Sequence, residues 1–282
     1  MERTLHIASE PHAAGLSPVE TIAGPLTAGV LLVCDHASNA LPPGYGTLGL
    51  PAAALERHIA YDIGAAALTR ALALRLDAPA VLSTFSRLLI DPNRGADDPT
   101  LVMRYSDGEI VPGNARADSA EIALRRERYW APYRETVAAT IEAMLATGEP
   151  PGLVSIHSFT PVWRGTARRW KIGVLWDRDD RIPAPLLAAL HDEEDLHAHG
   201  IGDNEPYDGA LAGDTIDAVA TARGLANALI EVRQDLIAEQ AGAEAWADRL
   251  GRLLMPILAD PGSRAPKDFG SRACPARPLA PR

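Results

Sequence analysis

Cysteine is nearly absent: the chain has two, Cys34 and Cys274, in 282 residues. Two are too few for a disulfide framework, so a reducing cytoplasm is the expected compartment. No apolar run approaches the roughly 18–20 residues of a membrane-spanning helix. The start, Met1-Glu2-Arg3-Thr4-Leu5-His6, lacks a basic region followed by an apolar stretch, and no secretory leader is expected. Basic residues are in deficit, with 27 Lys and Arg against 37 Asp and Glu and a formal net charge of −10. An acidic surface argues against nucleic acid or an anionic membrane as partner. No Gly-x-Gly-x-x-Gly follows the first apolar run and no P-loop occurs, so nucleotide binding has little support. No internal repeat is visible.

What is present is enough apolar material, 47% of residues, to build a full core. Residues 1–28 carry scattered Pro and Gly and read as an irregular approach; 29–258 read as a single α/β domain, and 259–282 as a poorly ordered Pro-rich tail. Strands are expected at about 29–35, 80–85, 153–157, 171–176 and 227–233, with Arg87–Asp91 a further strand or sheet edge. Helical patterns cover 52–76 (broken near His58–Asp62), 119–147, 184–195, 214–223 and 238–258. Strands alternating with helices predict a three-layer α/β sandwich around a mixed, largely parallel sheet.

Ionisable residues gather at the ends of the apolar runs, where open α/β sheets place their chemistry. His36 follows Val30-Leu31-Leu32-Val33-Cys34, and His157 follows Leu153-Val154-Ser155-Ile156. Two imidazoles at separate strand ends suit a metal site that takes three protein ligands and keeps one position open. Asp62 is the candidate third ligand, because an aspartate in an apolar segment is costly to bury unless it is paired or metal-bound. Asn39 is an alternative, though a neutral amide oxygen is a weak ligand for zinc, and Asp35 can instead hold an imidazole from behind. Glu231, at the end of Ala228-Leu229-Ile230, suits a general base; an ion pair with Arg233 on the same strand face is the equal alternative. Arg87, Asn93 and Arg94 form a third cluster suited to an oxyanion and a substrate carboxylate. The turn Asn204-Glu205-Pro206-Tyr207 either lines a polar pocket or is a surface turn.

Together, Cys34-Asp35-His36-Ala37-Ser38-Asn39, Tyr61-Asp62-Ile63-Gly64, Ser86-Arg87 through Asn93-Arg94, Ser155-Ile156-His157-Ser158, Gly202-Asp203-Asn204-Glu205 and Ile230-Glu231-Val232-Arg233 resemble the N-formylglutamate amidohydrolase family. The resemblance spans about residues 29 to 258. It implies a fold like that of the zinc-dependent exopeptidases and of aspartoacylase and succinylglutamate desuccinylase. By the same resemblance, one zinc ion is held by His36, His157 and an acid, and Glu231 acts as catalytic base. Arg87 polarises the scissile carbonyl, and Asn93 and Arg94 grip substrate carboxylate. Asn39 stands where those enzymes place the acid of His-x-x-Glu, which turns attention to Asp62. Asn39, Asn204, Glu205, Tyr207 and Arg233 complete the expected substrate contacts. The implied activity is hydrolysis of an N-acyl amino acid such as N-formyl-L-glutamate. A non-catalytic binding protein for acidic metabolites and an amidase using Cys34 are the alternatives.

Overall fold

The computed structural model describes residues 16–196 and 199–274. Seven strands form one sheet: β1 (Val19–Ile22), β2 (Val30–Cys34), β3 (Ala80–Ser83), β4 (Gly152–Phe159), β5 (Ile172–Leu175), β6 (Ile201–Asp203) and β7 (Asn227–Arg233). Their spatial order is β1-β3-β2-β4-β7-β5-β6. The four central strands β3, β2, β4 and β7 run parallel; β1 joins one edge antiparallel, and β5 pairs antiparallel with β7 and parallel with β6. The mixed, mostly parallel sheet is the architecture the sequence predicts.

The core strands are apolar along nearly their whole length because both sheet faces are covered. Val30, Leu32, Val154, Ile156, Ala228 and Ile230 pack on one side. There they meet α1 (Ala65–Leu76) and the long helix Gln240–Ala259 near the C-terminus. Leu31, Val33, Val81, Leu153 and Leu229 point to the other side, against Tyr133, Val137 and Ile141 of the helix Ala131–Leu145. That helix continues from Ser119–Arg125 through a π-helical turn, Arg126–Trp130, so the predicted 119–147 helix is one rod with a bulge. Its N-cap is Asp118, whose carboxylate accepts from the Glu121 amide at 2.9 Å.

Several expectations need correction. The segment up to residue 28 is not wholly irregular, because β1 lies within it; residues 1–15 fall outside the described residues. Arg87–Asp91 is a buried turn and not a strand. Leu88, Leu89 and Ile90 are fully buried, and a short buried turn has the same apolar signature as a strand. The Pro-rich tail is structured up to residue 274. Arg264 is buried, with Nη1 on the Pro150 carbonyl at 2.6 Å, and Arg272 bridges Asp177 (3.0 Å) and Asp208 (2.7 Å). Residues 275–282 lie outside the described residues.

Candidate metal centre and active-site cleft

The chemistry-bearing groups stand at the C-terminal ends of the parallel strands. His36 lies two residues beyond β2, His157 lies near the end of β4, and Glu231 lies near the end of β7. His157 and Glu231 are register partners across the parallel ladder, so their side chains share one face of the sheet. Asp62 reaches the same point from the turn before α1, where its amide donates to the His36 carbonyl at 2.9 Å. Gly64 makes that turn possible: its φ is +82°, and a Cβ there would lie 2.2 Å from the Ile237 carbonyl oxygen.

His36, Asp62 and His157 are buried, and a ligand atom from each lies within 4.8 Å of the others. The atoms involved follow from the contacts. Asp62 Oδ2 is 2.8 Å from His157 Nδ1 and 3.3 Å from His36 Nδ1. The opposite nitrogens are tied to other carboxylates. His36 Nε2 donates to Asp91 Oδ1 at 2.7 Å, and His157 Nε2 donates to Asp35 Oδ2 at 3.1 Å. A carboxylate behind each imidazole fixes the tautomer and leaves Nδ1 facing Asp62, which is how metal-binding histidines are oriented. The donor set of two imidazole nitrogens and one carboxylate oxygen fits a divalent ion.

The two rear carboxylates are themselves well held. Asp35 also accepts from Tyr133 Oη and Ser155 Oγ, each at 3.0 Å, and from Thr215 Oγ1. Asp91 accepts from Arg87 Nη2 at 3.0 Å and from the Asn93 amide at 2.9 Å. Burial opposes charge on these acids, but the imidazoles and, at Asp91, Arg87 overcome it and keep Asp35, Asp62 and Asp91 below the ordinary carboxylate range. Burial likewise opposes charge on His157, yet Asp35 and Asp62 hold its pKa well above the usual value.

A cleft of about 740 Å³ opens over this cluster, within the range of small-molecule sites. Glu231, Arg87, Asn93, Arg94 and Tyr207 line it. Glu231 is 6% exposed and its Oε2 has no hydrogen-bond partner. Burial pushes its carboxyl up to about 7, with Asp62 adding to the effect and His157, His36 and Arg87 opposing it. Arg87 uses its terminal nitrogens on Asp62 (3.4 Å) and Asp91, leaving a buried Nε without a partner.

Four expected contacts do not reach the cleft wall. Asn39 turns away: its amide nitrogen donates to the Leu55 carbonyl at 3.0 Å. Asn204 accepts from the backbone amides of Trp176 (2.9 Å) and Gly209 (3.0 Å), which shapes the turn. Glu205 is exposed on that turn. Arg233 forks onto Asp235 at 2.7 and 3.2 Å, so the alternative ion pair with Glu231 does not form. Cys34, the alternative nucleophile, is fully buried in the cluster on the α1 side, and burial drives its thiol pKa upward. Sequence reasoning missed Asp91 as the partner of His36. It also missed His58, which lines the cleft with Nδ1 3.5 Å from Asp62 Oδ1 and no hydrogen-bond partner. His58 reaches Asp62 across a turn four residues long, which no helical spacing signals.

Fold and site together define a hydrolytic enzyme of the α/β class, with its cleft at the C-terminal edge of a mixed sheet. The sequence profile of the N-formylglutamate amidohydrolase family matches residues 28–238, and the chain belongs to that family of hydrolases acting on amide bonds. The crystal structure of gene product Atu2144 from Agrobacterium tumefaciens is similar, at 36% identity over 86% of this chain and 95% of that chain, with a TM-score of 0.79. N-formylglutamate amidohydrolase from Ralstonia eutropha JMP134 shares the fold at 21% identity, over 86% of this chain and 97% of that one, with a TM-score of 0.62. No curated protein sequence matches the chain. Among the described residues no helix is long and apolar enough to cross a membrane.

Proposed function

We propose that the chain is a metal-dependent amidohydrolase that cleaves the linear amide of an N-acyl amino acid, the class to which N-formyl-L-glutamate belongs. One observation carries the reading: two imidazole Nδ1 atoms converge on Asp62 Oδ2, each backed by its own carboxylate, in a cleft that also presents an unpartnered glutamate oxygen. His36, Asp62 and His157 would hold one divalent ion, zinc by the mixed nitrogen and oxygen donor set, which supplies Lewis acidity when bound.

The chain's own groups account for the remaining chemistry. Glu231, raised to about 7, accepts a proton from the attacking water in its ionised form and delivers it to the leaving nitrogen. Arg87 offers its free Nε–H to the oxyanion that develops on the acyl carbon. Arg94 pairs with substrate carboxylate. Asn93 gives its oxygen to the Thr215 amide at 3.0 Å, so its NH2 group is the one available to a ligand. Two free cysteines favour a reducing compartment, the cytoplasm.

The test is hydrolysis of N-formyl amino acids before and after chelation, with metal restored, alongside Glu231→Gln. Loss on chelation, recovery on add-back and a roughly 10²–10⁴-fold fall in kcat for Glu231→Gln are expected. Activity that survives full chelation, or is unchanged in Glu231→Gln, refutes the mechanism.

A further inference from the structure

Three arginines line the cleft and no lysine does. Arg57 is paired with Asp107 at 3.1 Å and with Glu109, and Arg87 is paired with Asp62 and Asp91. Among the described residues Arg94 has no carboxylate partner: its Nε donates to Thr100 Oγ1 at 3.2 Å and its Nη1 to the Asn93 carbonyl at 3.0 Å. A second guanidinium beside the cleft, that of Arg168, has none either. Its Nη1 donates to two side chains of the wall, Tyr207 Oη at 3.0 Å and Thr160 Oγ1 at 3.4 Å, while its Nε and Nη2 make no hydrogen bond among the described residues.

The chain holds Arg168 firmly in this place. Just past His157, β4 ends and a short hairpin follows, Val162–Trp163 paired with Thr166–Ala167. Its turn, Arg164-Gly165, has φ of +48° and +81°, the backbone of a tight two-residue hairpin turn. Arg168 closes the hairpin: its amide donates to the Pro161 carbonyl at 2.8 Å. Its own carbonyl accepts from Arg233 Nη1 at 3.2 Å, so Arg233, which does not reach the cleft, fixes the backbone that carries Arg168. The half-buried guanidinium stands over three rings, 5.0 Å from Tyr207, 5.3 Å from Trp163 and 5.7 Å from Phe159. Aromatic faces hold a guanidinium without neutralising it and leave its N–H edge to a planar anion.

Resting on the amidohydrolase reading above, we propose that Arg168 is the specificity residue of the cleft: it receives the side-chain carboxylate of the N-acyl amino acid, while Arg94 takes the α-carboxylate. The order follows from position. Arg94 belongs to the turn in which Arg87 and Asp91 stand behind His36, and the α-carboxylate lies nearer the scissile amide than the side-chain carboxylate does. Arg168 stands outside that turn, at the end of the hairpin. A neutral side-chain amide would turn an NH2 group or a weaker acceptor toward the free N–H edge, and a site built to donate to a carboxylate discriminates against it. The reaction adds water across the acyl C–N bond, giving formate and the free amino acid from an N-formyl substrate.

The experiment measures formate release by the full-length, zinc-loaded chain from N-formyl-L-glutamate and N-formyl-L-glutamine, which match in shape and differ in one charge. Wild type should favour glutamate in kcat/KM by about 10–100-fold, the range of a hydrogen bond to a charged group. Arg168→Met should erase that preference by losing turnover of glutamate alone, mainly through KM. Arg168→Lys keeps the charge without the fork and should retain part of the preference. Arg94→Met should lower kcat/KM on both substrates alike. Calorimetric binding of the two compounds to Glu231→Gln protein, with and without Arg168→Met, should give the same ratio in the absence of turnover. Equal wild-type activity on the two, a glutamate preference that survives in folded Arg168→Met, or an equal loss on both substrates overturns the assignment and leaves the amidohydrolase reading intact. Turnover of no N-formyl amino acid by the zinc-loaded protein overturns both.

Discussion

Asp91 offers the sharpest test of how the cluster is built. Its Oδ1 accepts from His36 Nε2 at 2.7 Å and its Oδ2 accepts from Arg87 Nη2 at 3.0 Å. Asp91→Asn keeps the volume and can still present one oxygen. It removes the negative charge behind His36 and replaces the oxygen that faces Arg87 with an NH2 group, or else turns that NH2 toward His36 Nε2. Either orientation breaks one charge-assisted hydrogen bond, and the second also disfavours the tautomer with Nδ1 free. Loss of such a rear partner weakens metal binding about 10–100-fold, or roughly 1.4–2.8 kcal/mol. Competition with a chromophoric chelator at neutral pH reads the affinity, and circular dichroism checks that the variant is folded. In the first orientation Arg87 also loses its closer anchor, and kcat then falls at saturating metal as well. A folded Asp91→Asn protein with unchanged metal affinity would show that Asp91 only fills space and that the orientation argument is wrong.

Two further outcomes follow from other buried groups. Asp214 caps the short helix Thr215–Val219, accepting from the Asp217 amide at 2.7 Å, and burial, with Asp35 and Asp217 adding, pushes its carboxyl up to about 7. A raised acid binds a proton in the folded chain that the unfolded chain has already lost. Its contribution is therefore present at low pH and is lost as pH rises through the window from the ordinary carboxylate value to about 7. Asp214→Asn can still cap and does not titrate, so it should be more stable than wild type at about pH 8 by a few kcal/mol, at about 1.4 kcal/mol per pH unit of the window. Urea unfolding should show that gap closing toward about pH 4; a gap independent of pH would refute it. Cys34→Ala should retain kcat per folded molecule, since the thiol lies in the core on the α1 side and off the cleft wall; inactivation of a folded variant would restore the thiol mechanism.

The central strands were legible because burial on both faces turns them into continuous apolar runs, as in Val30–Cys34 and Asn227–Arg233. The edge strands were not. Val19–Ile22 is half exposed, and Ile201–Asp203 is three residues long inside a turn-rich stretch. The tail misled through composition, which reports proline content and cannot report that Arg264 finds the Pro150 carbonyl, 114 residues away in the chain. His36, His157 and Glu231 stood out at the ends of apolar strands, and Asp62 as an acid in an apolar segment that is costly to bury unless something compensates it. Asn39 shows the limit of spacing. It sits three residues after His36, but the loop carries its side chain to the Leu55 carbonyl.

The division of labour among the acids was only partly legible in the sequence, and it matters most for the chemistry. The sequence expects Asp62 as a ligand and Asp35 behind an imidazole, but it assigns no role to Asp91 and does not say which imidazole Asp35 holds. Geometry separates them. Asp62 Oδ2 is shared by both Nδ1 atoms, whereas Asp35 and Asp91 each hold one Nε2 from behind. Only the shared oxygen lies on the side where both imidazoles direct a lone pair, so only Asp62 can join them on one ion. The roles are set by contacts that span 122 residues for Asp35 and 55 for Asp91. Such contacts exist only once β2, β3 and β4 lie side by side, which makes the parallel order of the central strands a condition of the site as well as its scaffold.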